Sequence, residues 1–188
     1  MVGNDLVDLQ LARLQSNWQR PGYLQKICSA EEQHMIMTAP EPNTMLWLLW
    51  SMKESAYKVL NRNTGKREYK PSALVCSGLE VNQSETTGTV RHGDDVFFVK
   101  TEISHQRIYS VAAQTVITFG RLTSCHMHNT AGYMAKFASA TPGYLLQKEI
   151  SGLPVVVELQ TGRNLAASVS HHGRYLAVTY SDSLRLTD

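Results

Sequence analysis

Three side chains combine a reactive type with a telling spacing. Asp5 lies inside an apolar amino-terminal run. Glu54 and Lys58 lie one helical turn apart in Trp47-Leu48-Leu49-Trp50-Ser51-Met52-Lys53-Glu54-Ser55-Ala56-Tyr57-Lys58-Val59-Leu60. Acids are depleted from strand interiors and are buried only when paired, metal-bound or shifted in pKa, which singles out Asp5 within Met1 to Leu9. In the longer stretch Met45, Leu49, Met52, Ala56 and Val59 recur at three- and four-residue steps. They form the apolar stripe of a helix beginning near Thr44. Trp47, Trp50, Glu54 and Tyr57 fall on the opposite face with Lys58 at its edge, so the helix is expected to be covered on two sides. Glu54 then needs a partner, a metal or a raised pKa. A plainer alternative stays open, in which Glu54 and Lys58 form a surface i,i+4 ion pair worth roughly a few tenths of a kcal/mol.

Other groups have weaker claims. Ser29-Ala30-Glu31-Glu32 spells a capping box, so Glu32 has a structural task at the third helical position whatever else it does. Asn61-Arg62-Asn63-Thr64-Gly65-Lys66-Arg67 reads as a polar, basic loop after the long helix, either solvated or holding phosphates. Cys125-His126-Met127-His128 contains zinc-ligand types, but three ligands within four residues match no common structural zinc spacing. His171-His172-Gly173-Arg174 reads as a tight turn carrying two imidazoles.

The elements that position these groups follow from periodicity. Met1 to Leu9 is expected to be a short buried strand with Gly3 permitting close backbone approach, and Asp8 suits the cap of a helix over Leu9 to Gln19. Pro21-Gly22 breaks that segment, and Pro40 and Pro42 separate the capped helix from the long one. Strands are expected at Ala73 to Val81, Thr86 to Arg91, Val96 to Ser104 and Arg107 to Thr118, an antiparallel meander that the long helix could cross. Gly120 to Asn129 reads as a connector. A short helix around Ala131 to Ser139 follows, then strands at Leu145 to Ile150, Val155 to Leu159, Ala166 to Ser170 and Tyr175 to Ser181. Helix followed by small sheet thus recurs, in an α+β arrangement divided into a half at 1–119 and a smaller half at 120–188.

Composition bounds the remainder. A chain of 188 residues with 43% hydrophobic and 18% charged residues can bury a core without disulfide or metal staples. A net charge of +2 is too weak to argue for nucleic acid. Cys28, Cys76 and Cys125 are odd in number and widely spaced, which suits a reducing compartment. Asn4, Asp5 and Asp8 interrupt any secretory run and no apolar segment is long enough for a membrane span, so a soluble cytoplasmic protein is expected.

Three separated stretches together resemble the 4'-phosphopantetheinyl transferase superfamily. Gly3-Asn4-Asp5-Leu6-Val7-Asp8-Leu9 is similar to the family's strand G-I/V-D-I/L/V-V-E/D-I/L. Trp50-Ser51-Met52-Lys53-Glu54-Ser55-Ala56-Tyr57-Lys58 is similar to its helix W-S/C-x-K-E-A/S-x-x-K, the most specific of the three. Ser168-Val169-Ser170-His171-His172-Gly173-Arg174-Tyr175 is similar to its S-x-S-H-x-x-x-Y/W turn, and Ser29 to Glu32 sits where an F-S/T-x-x-E segment usually lies. The motif order is that of the short holo-acyl-carrier-protein synthase branch. The resemblance implies transfer of the phosphopantetheine arm of coenzyme A to a serine of an acyl or peptidyl carrier protein, as in fatty acid or polyketide biosynthesis. It also implies Mg2+ held by Asp5 and Glu54 with the coenzyme A pyrophosphate, a hard-oxygen set that suits this ion.

The same resemblance implies roles residue by residue. Glu54, directly or through a metal-bound water, accepts the serine proton, with Glu32 as a helper beside its capping role. Lys58 points its ammonium at the pyrophosphate, His171 meets the nucleotide phosphate, and Lys53 and Arg174 join the coenzyme A contacts. Two departures stand out. A second acid occurs at Asp8 instead of two residues after Asp5, on the opposite side of a regular strand. The family's G-K-P turn appears as Gly152-Leu153-Pro154 without its lysine, leaving Lys148, Arg163, Lys66 or Arg174 to supply charge. Short family members of roughly 120 residues form trimers with sites between subunits, and members roughly twice as long fold as two similar halves. The chain falls between, as a monomeric pseudo-dimer or a small homo-oligomer. Two other readings remain: a catalytically weak family-fold protein that binds coenzyme A or a carrier protein, and a structural domain with zinc at Cys125, His126 and His128.

Overall fold

The computed structural model describes residues 1–82 and 85–181. Strand β1 (Val2–Asp8) is followed by helices α1 (Leu9–Gln15), α2 (Tyr23–Ile27), α3 (Ala30–Thr38) and α4 (Pro42–Thr64). Strands β2 (Val75–Val81), β3 (Glu85–His92), β4 (Asp95–Ile103) and β5 (Arg107–Ala113) close the first half. The second half holds β6 (Leu122–His128), α5 (Tyr133–Ala140), β7 (Tyr144–Lys148), β8 (Pro154–Glu158), β9 (Arg163–His172) and β10 (Tyr175–Ser181). Residues 182–188 lie outside the described residues.

The two sheets share one topology, β1-β5-β4-β3-β2 and β6-β10-β9-β8-β7, with antiparallel pairing throughout. In each, the first strand, separated from the rest by helix, returns to pair with the last strand of the meander. The helical part is what differs: α4 has 23 residues and α5 has 8. The chain is therefore α+β, a long helix packed on a small antiparallel sheet with a shortened second similar half.

Helix α4 organises the first core. Leu49, Met52, Ala56 and Val59 are fully buried against Val90, Phe97, Ile108 and Ala112 of the first sheet, and Met45 packs against the same cluster. Its other face is covered as well, with Trp47 buried and Trp50 and Tyr57 packed against that cluster. In the second half Phe137 of α5 lies under Leu146, Val156, Leu165 and Val178. A third cluster, Val2, Leu6, Tyr109, Val111 and Ala177, joins the two sheets.

Several boundaries differ from the pattern reading. Helix α4 starts at Pro42, whose missing N–H is harmless in a first turn, and runs on to Thr64 before Gly65 at φ 69 ends it. Asn61 and Arg62 are thus helical, not part of a loop. Helix α1 stops at Gln15, short of Gln19. The strand expected to reach Thr118 ends at Ala113, and residues 116–121 form a 3-10 turn. The supposed connector Gly120 to Asn129 contains β6, a strand because β10 offers it an edge to pair with, Val178 opposite Cys125. Strand alternation sends Cys125 and Met127 toward the second core while His126 meets the Tyr109 ring at 4.5 Å. Cys125 and its neighbouring histidines therefore do not converge, and among the described residues no group of three His, Cys, Asp or Glu side chains is placed to hold a metal.

Candidate active site

Gly3 allows the site to form. A Cβ at this position would lie 2.0 Å from the Ser55 carbonyl oxygen and 3.0 Å from the Lys58 Cβ, so only glycine lets β1 lie this close to α4. The contact brings the acid of the strand to the acid and lysine of the helix. Lys58 donates from Nζ to the Asn4 carbonyl at 2.6 Å and stands 3.6 Å from Asp5 Oδ1. Asp5 Oδ2 is buried with no hydrogen-bond partner among the described residues.

Glu54 is half-buried on the same side. Burial first, and the Asp5 carboxylate second, push its carboxyl up to about 7, against the opposing pull of Lys58. Tyr69 flanks it, packed edge-on to Trp50 at 5.8 Å and tilted on Tyr57 at 4.7 Å. The Tyr69 hydroxyl is buried, without a well-formed hydrogen bond, beside the Glu54 carboxylate, and offsets a little of that rise. Burial and the neighbouring Glu54 hold the phenol in its neutral form.

These observations bear on a metal. Two carboxylates that repel each other, one with an unsatisfied buried oxygen, are short of positive charge, because Lys58 is shared with a backbone carbonyl. Such a donor set fits Mg2+, which takes one or two protein carboxylates and completes its shell with water and phosphate oxygens. It does not resemble the three or four nitrogen and sulfur ligands of a zinc site.

The remaining singled-out residues divide into those near this group and those engaged elsewhere. Glu32 and Lys53 meet each other. Lys53 Nζ donates to Glu32 Oε2 at 2.7 Å, to Ile27 O at 2.6 Å and to Pro71 O at 2.9 Å, while Glu32 Oε1 accepts from Cys76 N at 2.8 Å. The two side chains are 0% and 1% exposed, and the Ser29–Glu32 capping box is complete. Glu32 as a catalytic helper and Lys53 as a coenzyme A contact do not match this burial, since neither side chain can reach a ligand without breaking a satisfied network. Asp8 caps α1 by accepting from Gln10 and Leu11, and its other oxygen lies 3.4 Å from Arg174 Nε. Arg174 is thus tied to a structural acid and stacks over Tyr175. His172, not His171, is drawn inward, its Nδ1 accepting from Asp8 N at 2.9 Å.

A cleft of about 190 Å³ opens beside Lys58. Val2, Lys58 and Arg62 line one side, and Pro154, Ala167 and Ser168 the other. Neither carboxylate lines it; Lys58 connects it to Asp5. Exposed His171 lines a second cavity of about 230 Å³ with Lys148 and Tyr133, and Pro154 and Val169 wall both cavities. Tyr69 is the site residue that the sequence reading misses, since it lies between a basic run and a proline with no pattern to mark it. Arg62 belongs to the basic run expected to be solvated or to hold phosphates, but it is helical and not in a loop.

An acid on β1 thus stands by an acid and a lysine on α4, beside a cleft lined by both halves. The family model of the 4'-phosphopantetheinyl transferase superfamily matches residues 1–119, and the chain belongs to that superfamily. Among solved structures, the crystal structure of Thermotoga maritima holo-acyl-carrier-protein synthase is similar at 11% identity and a TM-score of 0.41, over 84% of this chain and 83% of that one. No curated protein sequence matches the chain.

Proposed function

We propose that the chain transfers the 4'-phosphopantetheine arm of coenzyme A to a serine of an acyl or peptidyl carrier protein, in a magnesium-dependent reaction. The observation that carries this reading is the coupling of Asp5 and Glu54 across the β1–α4 contact, with Lys58 beside them, in a chain of this superfamily. In the reaction the serine Oγ forms a bond to the β-phosphorus of coenzyme A as the bond to the bridging oxygen breaks, releasing adenosine 3',5'-bisphosphate. Glu54 accepts the serine proton, directly or through a metal-bound water. Lys58 holds charge on the pyrophosphate as a compact cation. Bound Mg2+, held by Asp5 and Glu54, supplies Lewis-acid stabilisation of the phosphoryl oxygens. His171 and Lys148, in the adjoining cavity, suit the nucleotide end of coenzyme A. Lys53 and Glu32 position α4 from beneath.

The carrier protein and coenzyme A are the proposed partners, and a soluble cytoplasmic setting is proposed with them; among the described residues no helix is long and apolar enough to cross a membrane. The division at 119/120 is proposed as the seam between a metal-binding half and the half that supplies the S-H turn. The test is direct. The chain is incubated with an apo carrier protein, coenzyme A and Mg2+, and the carrier is weighed by intact mass spectrometry. Gain of the arm's mass, lost in Glu54→Gln and on chelation, is the expected result. Binding of coenzyme A without any mass gain would leave the weaker reading, a family-fold binder, which the missing lysine at Gly152-Leu153-Pro154 favours.

A further inference from the structure

The two walls of the Lys58 cleft come from different halves, and one side chain bonds them directly. Arg62, one turn beyond Lys58 on α4, donates from Nη2 to the Pro154 carbonyl of β8 and to the Ala167 carbonyl of β9, each at 2.6 Å. Arg67 adds an outer tie to the Ser151 carbonyl at 3.0 Å. Two residues along β1 from cleft-lining Val2, Asn4 fixes the strand to the same sheet. Its N–H donates to Ser168 Oγ at 3.0 Å, and its side chain donates to Ala177 O and Thr179 Oγ1. The two halves that line the cleft are therefore tied twice, through Asn4 to Ser168 and through the Arg62 guanidinium to Pro154 and Ala167. The carbonyls that Arg62 holds are neutral; burial disfavours its charge and the nearby Glu149 carboxylate favours it, and since a guanidinium stays charged in proteins, a cation stands at this cleft wall beside Lys58, partly balanced by Glu149.

We infer that Arg62 is a positioning residue of the site. By holding Pro154 and Ala167 it fixes the Lys58-bearing end of α4 against β9, and so sets the width of the cleft that grips a phosphate-bearing ligand. The inference rests on the proposed reading that this ligand is coenzyme A. It also accounts for a turn at Gly152-Leu153-Pro154 without a lysine: the cation arrives from the helix instead, and it acts by geometry as well as by charge.

Two substitutions separate geometry from charge. Arg62→Met keeps the stem and removes donors and charge. Arg62→Lys keeps the charge on a shorter stem, with a strongly hydrated head in place of the planar fork. Coenzyme A affinity is measured by calorimetry without carrier protein, and KM and kcat with it. Charge-assisted bonds of this kind are worth enough that Arg62→Met should weaken coenzyme A binding and raise its KM by about tenfold or more. The change in kcat should be smaller, and Arg62→Lys should recover only part of the loss. A Lys variant with wild-type affinity and KM would overturn the positioning role, because charge alone would then suffice. Unchanged KM with a lower kcat and a lowered melting temperature would overturn it too, since that pattern reports lost folded protein and not a widened cleft. Should Arg62→Met fail to fold, the Lys variant decides. A wild-type chain that neither binds coenzyme A nor modifies a carrier fails the functional reading itself, whereas indifferent Arg62 variants of an active chain fail this inference alone.

Discussion

Glu54 combines a structural cost with a chemical use. Its carboxyl titrates at about 7 in the folded chain against 4.5 in its absence of surroundings. A raised acid means that the folded state binds the proton more tightly than the unfolded one. Stability is therefore lost as pH rises from 4.5 to 7, and the full cost, on the order of 3 kcal/mol, is present above that window. Glu54→Gln should accordingly raise the melting temperature of the metal-free protein at pH 8 and leave it nearly unchanged at pH 4, as differential scanning calorimetry would read. Mg2+ should stabilise the wild type at pH 8 and not the variant. Tyr69→Phe keeps the ring between Trp50 and Tyr57 and removes the buried hydroxyl beside Glu54. Because that hydroxyl has no hydrogen-bond partner among the described residues, removing it relieves a buried unsatisfied group, and the Phe variant should melt at or slightly above the wild-type temperature in differential scanning calorimetry.

The contact of β1 with α4 places two of the three reactive side chains opposite the third, and Gly3 is its thinnest point. Gly3→Ala puts a methyl group 2.0 Å from the Ser55 carbonyl, a backbone atom that cannot swing aside. Overpacking of this kind costs typically about 1–3 kcal/mol, and separating Asp5 from Glu54 should abolish activity in whatever protein still folds, measured as carrier modification per folded molecule. A second element-level feature is the lysine under the helix. Lys53 joins α4 to α3 through Glu32, to the end of α2 through Ile27 O and to the Pro71 turn. Breaking a buried ion pair by removing one partner leaves the other charge stranded, at about 3–5 kcal/mol. Lys53→Met should therefore lower the denaturation midpoint steeply, and the double variant Lys53→Met/Glu32→Gln should recover part of that loss because the orphaned carboxylate is gone.

The whole molecule reads as one unit built twice and kept unequal. Strand β6 takes the place of β1 in the second sheet, yet neither β6 nor α5 contains an acid. Only the first half carries the acid pair, and the second half gives the opposite wall of the cleft through Ala167 and Ser168. Asp5, Glu54, Lys58 and that wall all belong to one chain, so specific activity should stay constant on wide dilution, in contrast to a site shared between subunits. Residues 1–119 expressed alone would uncover Val2, Leu6, Tyr109 and Val111, which the second half covers at Ala177. That fragment is expected to aggregate or fail to fold, as size-exclusion chromatography and circular dichroism would show.

Local pattern made much of this legible. The stripe from Met45 to Val59 determines an amphipathic helix, Ser29 and Glu32 determine its predecessor's cap, and Gly3 with an interior Asp5 marks a strand needing both close approach and compensation for a buried charge. Those signals are short-range, arising from side-chain period and hydrogen bonding within a few residues. What they could not determine is which groups meet across the fold. Lys53 is indistinguishable from Lys58 by type and lies on the same helix, yet a five-residue step turns it through more than a full turn, into the α3 contact and away from the cleft. Likewise Cys125 to His128 had no strand signal of their own and became one because β10 presented an unpaired edge. Arg62 gained its carbonyl partners from residues far along the chain. The sequence by itself determined the helix, the cap and the acids; tertiary packing decided which charges are buried against each other and which face a ligand, because burial and partner choice depend on distances that no local spacing encodes.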